Sequence, residues 1–169
     1  IQYLKFPANN FEDIPIDQAE IAGDLHVVLR EMEIRMRTLI QTQMKMIGSF
    51  EEKLNPDYPE WALRELLMNA VMHRNYESHT PIRFYVFSDR IEILSPGGLY
   101  GEATPENFPN RNSYRNPVIA EAMKTLGFVN RFGYGVQRAQ SLLAQNKNPA
   151  AEFIFDGNSV LVKIYKQIF

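Results

Sequence analysis

A chain of 169 residues with a formal net charge of -2 and 45% hydrophobic residues has room for one domain with a real core, and it lacks the basic footprint of a nucleic-acid-binding surface. The absence of cysteine excludes disulfides and thiolate metal sites and fits a reducing, cytoplasmic setting. No apolar run approaches the length of a membrane span, so no membrane partner is expected.

The start at Ile1, without methionine, predicts an excerpt of a longer polypeptide, with any DNA contact made through another domain of it. Ile1 to Phe6 alternates apolar and polar positions and predicts a lead-in strand at a sheet edge, within a segment 1–16 broken by Pro7, Asn9 and Asn10. From Asp17 to Ile47, the residues Ile21, Leu25, Val28, Leu29, Met32, Met36, Leu39, Ile40 and Met44 follow helical spacing and predict one long helix stopped by Gly48. Its methionines read as adaptable core packing. Phe50 to Asp57 reads as a polar connection into a core spanning 57–169.

Trp61 to Tyr76 predicts the helix around which that core is organised. Leu63, Leu66, Leu67, Ala70 and Val71 fall on one side, while Glu65, Asn69 and His73 recur every four residues on another. Asp57 as cap, Pro59 in the first turn and Glu60 in capping-box position mark its start. The polar stripe reads either as a solvent face or, given Trp61, Met68 and Met72 beside it, as the lining of a cleft.

Pro81 to Phe87 and Arg90 to Leu94 predict an antiparallel hairpin, followed by Gly97 and Gly98, which permit a tight turn or a close approach to a ligand. Leu99 to Asn116 shows no period and reads as a lid or mobile loop. Asn116 and Pro117 open a short helix over Val118 to Leu126, ended by Gly127. Gly133, Tyr134 and Gly135 then precede a helix from Val136 to about Gln145; such a turn either holds phosphate oxygens on free amides or is a plain tight turn. Glu152 to Phe155 and Val160 to Tyr165 close the chain as a second hairpin. The layout predicts an α+β two-layer sandwich with a mostly antiparallel sheet and helices on one face.

Arg64 to Ala70 (RELLMNA) resembles the N-box of the GHKL ATPase superfamily, and the two glycine sites follow it in that superfamily's order. Val71 to Tyr76 (VMHRNY), Asp89 to Gly98 (DRIEILSPGG), Arg115 to Pro117 (RNP) and Phe132 to Arg138 (FGYGVQR) are similar to one branch, the C-terminal histidine-kinase-like ATPase domain of RecG-related helicases and Schlafen-AlbA-type transcriptional regulators. The resemblance implies ATP and Mg²⁺ as ligands. It implies that Glu65 orients or deprotonates a water, that Asn69 offers its amide oxygen to Mg²⁺, and that 99–116 is the lid. The implied nucleotide-binding set is Asn69, His73, Ser95, Gly97, Gly98, Arg115, Gly133, Tyr134 and Gly135.

Ser95 stands where the superfamily's D-x-G-x-G box has its adenine-reading Asp, and Leu99 replaces the last glycine. Exchanging a charged for a neutral acceptor costs ~1 to 2 kcal/mol, on the order of 5 to 30 fold in affinity. Two functions follow: a nucleotide-binding module with at most weak ATPase activity, or a nucleotide-independent dimerisation or regulatory module, forming a homo-oligomer, attached to a DNA-binding domain. A helicase motor is excluded for this stretch, because no G-x-x-x-x-G-K-[ST] loop exists. His26 lacks the acidic neighbour of a phosphoacceptor and reads as structural, and His73 with His79 has no cluster of further ligands.

Overall fold

The computed structural model describes residues 1–46, 50, 52–110, 113–129 and 134–167. In chain order the elements are β1 (Gln2–Lys5), β2 (Asp17–Glu20), α1 (Leu25–Leu39), β3 (Thr42–Met46), β4 (Glu52–Pro56), α2 (Glu60–His73), β5 (Arg83–Val86), β6 (Arg90–Pro96), α3 (Pro117–Thr125), α4 (Gly135–Gln145), β7 (Glu152–Phe155) and β8 (Ser159–Tyr165). This is the α+β architecture that the layout predicts.

Six strands form one sheet in the order β2-β1-β5-β6-β8-β7. The β1–β5 pair is parallel and the other neighbours are antiparallel. Register places Phe84, Ile93 and Val162 in one row and Val86, Ile91 and Ile164 in the next, all buried. Tyr85, Glu92 and Lys163 alternate with them and point to the other face, as a period of two requires. The helices cover the face that carries the apolar rows. At its centre α2 buries Leu63, Leu66, Leu67 and Ala70 against β6, α4 and α1.

The long helix expected over 17–47 is three elements instead. Asp17–Glu20 is a strand paired with β1, Gly23 turns the chain at φ 124°, and the helix occupies only Leu25–Leu39 before Ile40 becomes extended. Thr42–Met46 then pairs with Glu52–Pro56 as a two-stranded sheet, so the expected polar connection contributes a strand as well. Residues 42, 44 and 46 alternate along the chain, and that period of two was concealed within a helical spacing that Met44 also satisfies. Ile47 and Gly48, the expected end of the helix, lie outside the described residues. The lead-in strand is present, but β2 covers it, so it sits inside the sheet and not at its edge.

The organising helix begins at Glu60 and ends at His73, earlier than Tyr76, because Arg74 is extended. Asp57 is not its cap, for no side-chain cap bond forms at this end. Asp57 is instead buried, with Lys166 Nζ 3.5 Å from its carboxylate and its own N–H donating to Gln41 O at 2.9 Å. Asn148 completes this joint: its Nδ2 donates to Asp57 O at 2.8 Å and to Tyr165 O at 3.0 Å, tying the start of α2 to the end of β8.

The Asn148 amide therefore serves two carbonyls at a buried junction. Asn148→Ala is expected to cost about 2 kcal/mol through the acceptors it strands. Urea denaturation checks this; a midpoint shift with unchanged slope is the expected result.

Candidate functional site

The polar stripe on α2 faces inward. Asn69 and His73 line a cavity of about 70 Å³ between α2, β6, β8 and the loop that follows β6, while Glu65 sits one turn earlier against α4. A Cβ added to Gly135 would lie 2.9 Å from Glu65 Oε2 and 3.0 Å from Asn69 Nδ2. The acid and the amide thus converge on the first residue of α4, where unsatisfied helix amides and the positive end of the dipole favour anions. Asn69 Nδ2 donates to Glu65 O at 3.1 Å. The Asn69 amide oxygen accepts no hydrogen bond from the described residues and remains available as a hard ligand atom.

His73 stacks on Tyr114 at 5.8 Å with an interplanar angle of 17°. Burial, and then the charge of Arg115, pushes the His73 imidazole below its ordinary range, so it is neutral at pH 7. Ser95 also lines the cavity; it is 5% exposed, and its Oγ–H donates to Ala70 O at 3.0 Å. That proton is committed. What Ser95 presents to the cavity is lone pairs only.

Gly97 and Gly98 reach the same cavity, yet close packing of chain on chain explains them first. Gly97 has φ 96°, and a Cβ there would lie 2.8 Å from Asn75 Cβ; a Cβ on Gly98 would lie 2.7 Å from the carbonyl carbon of Gly157. Arg115 locks this turn, since its Nη2 donates to Gly98 O at 2.9 Å and its guanidinium lies 4.8 Å from the Tyr100 ring centre. Arg115 itself does not line the cavity. Tyr134 is 73% exposed and does not line it either, and Gly133 lies outside the described residues.

The lid expected over 99–116 folds down onto the cavity; of its residues, Arg111 and Asn112 lie outside the described residues. Leu99, Tyr100, Ala103 and Phe108 contribute to the lining. Internal bonds shape this loop, with Phe108 N–H donating to Thr104 O at 2.9 Å and Asn107 Nδ2 to Glu102 O at 2.8 Å. Sequence reasoning missed the role of Phe108, whose ring packs 4.9 Å from Phe153 and 5.1 Å from Phe155. An aromatic residue in an aperiodic loop carries no signal of its target. Asn116 was expected to cap α3, but no side-chain bond forms there; its Nδ2 donates to Met72 O at 2.9 Å and Arg74 O at 2.7 Å, closing the C-terminal end of α2.

The site is an apolar slot lined by Asn69, His73 and Ser95 among others, with Glu65 and the first residue of α4 packed together beside Asn69. Among the described residues, no lysine or arginine lines the slot. No group of three or more His, Asp or Glu able to hold a metal occurs among the described residues, so the donor set fits only an ion that brings further oxygens with it, as a magnesium phosphate does.

Two glycine substitutions separate packing from site. Gly98→Ala meets backbone and is expected to cost about 1 to 3 kcal/mol. Gly135→Ala meets only the ends of two side chains, so its stability is expected to stay within about 1 kcal/mol while the Asn69 side-chain amide resonance moves. Thermal denaturation and an NMR spectrum of the two variants check this.

Comparison with known proteins bears on the same residues. The family described as "Putative ATP-dependent DNA helicase recG C-terminal" matches residues 79–164, just over half of the chain, including both hairpins and the lid but not Glu65 and Asn69. Among solved structures, the DIP2311 protein of Corynebacterium diphtheriae has the same fold, with a TM-score of 0.86 at 22% identity. The match covers 99% of this chain and 35% of that one, so the chain spans about a third of that protein's length. No curated protein matches the chain. Among the described residues, no helix is long and apolar enough to cross a membrane.

Proposed function

The chain belongs to the family of RecG helicase C-terminal domains, and from that premise we propose that it is an ATPase-like nucleotide-binding module. The observation that carries this reading is the convergence of Glu65 and Asn69 on Gly135, beside an apolar slot that Asn69 and Ser95 both line. In this reading the slot takes the adenine ring, and the α4 amides meet phosphate oxygens. The Asn69 amide oxygen would hold a Mg²⁺, and the ion would supply charge neutralisation for the phosphates. Glu65 would orient or deprotonate a water at the phosphates. His73, neutral and stacked on Tyr114, walls the slot, and Arg115 keeps the Gly97–Gly98 turn in shape.

Ser95 supports adenine more than a bare Asp-to-Ser exchange suggests. With its proton given to Ala70 O, it faces a base as an acceptor, the role an amino group on the base requires. Any DNA-binding or transcriptional role would then fall to a neighbouring domain.

Calorimetric titration tests the reading. MgATP is expected to bind the wild-type chain, and Asn69→Ala to weaken it on the order of tenfold or more. Inosine triphosphate, which has a carbonyl in place of the amino group, is expected to bind on the order of tenfold more weakly than ATP, a preference that Ser95→Ala abolishes. No heat from either nucleotide rejects the module.

A second reading, a nucleotide-independent regulatory or dimerising module, draws on one observation. The lid leaves about 70 Å³, whereas sites for ligands of drug size enclose roughly 300 to 1,000 Å³. Sedimentation velocity separates the two, because this reading predicts a concentration-dependent dimer indifferent to MgATP.

A further inference from the structure

We propose that Phe108 acts as a latch that holds the loop 99–110 over the slot and competes with the nucleotide for it. This rests on the nucleotide reading above. The Phe108 ring lines the slot and packs against two rings of the edge strand, 4.9 Å from Phe153 and 5.1 Å from Phe155, with the second pair edge-on at 67°. Aromatic pairs at such distances attract beyond the area they bury. Gln137 Nε2 reaches Pro109 O only at 3.4 Å, and Gln137 Oε1 is buried without a partner. Thr104 N–H donates to Asn107 Oδ1 and Asn107 Nδ2 to Glu102 O inside the loop, and these two bonds shape it. The latch is therefore aromatic.

A closed loop leaves too little room for a purine and its phosphates, so only the fraction of molecules with Phe108 withdrawn binds. Apparent affinity scales with that fraction. Weakening the latch must tighten nucleotide binding even though an apolar contact has been lost, the opposite of what a ligand-contacting Phe108 would do.

The test uses the whole chain as wild type, Phe108→Ala and Phe108→Leu, the last keeping apolar bulk in case the smaller residue unfolds the loop's surroundings. Without nucleotide, hydrogen exchange of the amides at 99–110 is expected to quicken on the order of tenfold in the variants, with β6 and β8 unchanged. MgATP affinity is expected to rise by a similar factor. Unchanged exchange, or affinity that falls while exchange quickens, overturns the latch and leaves the nucleotide reading standing. Quickened exchange with no MgATP binding by any of the three proteins overturns the nucleotide reading, and the competition with it.

Discussion

The contact on which the molecule depends is that between α2 and the first residue of α4. Gly135 has no side chain, and α4 approaches until Glu65 and Asn69 occupy the space next to where a Cβ would stand. Ala139 and Leu143 continue the same interface as fully buried residues, one helical turn apart. The close approach places an acid and an amide at a helix N-terminus, and it fixes the width of the slot between α2 and the sheet. Site geometry is thus set by how closely α4 packs on α2.

The sheet positions the rest. Ser95 reaches the slot because it shares a face of β6 with Ile93 and Ile91, two and four residues away. The bond from its hydroxyl to Ala70 O crosses from sheet to helix and satisfies a polar group that would otherwise be stranded in an apolar layer. Asn116 and Asn75 do the corresponding work at the far end of α2, the first through Met72 O and Arg74 O, the second through its N–H to Pro96 O at 2.7 Å. The loop after β6 is consequently anchored at its root by polar bonds and near its tip by aromatic rings.

Much of this was readable before any coordinates. Three signals were local: the four-residue recurrence of Glu65, Asn69 and His73, the alternation in both hairpins, and glycine just ahead of α4. Each corresponds to an element where physics within a dozen residues decides the outcome. The segment 17–47 was misread because its pairing partners are remote. Asp17–Glu20 has no strand-forming composition, and only its alignment with β1 makes it a strand. Asp57 looked like a cap and is a buried joint, since Asn148 and Lys166, about a hundred residues away, claim it. The destination of the Ser95 proton and the target of Phe108 are likewise tertiary facts. A single sequence holds no trace of either.

The central claim is that the amide of Asn69 and the start of α4 together receive a metal-bound triphosphate. Paramagnetic broadening tests it most directly: an NMR titration with MnATP is expected to bleach the Asn69 side-chain amide and the backbone amides of Gly135 and Val136 first, sparing the outer face of the sheet around Tyr85 and Lys163. Broadening that begins on that outer face, or that follows exposed carboxylates without favouring Asn69, would contradict the account.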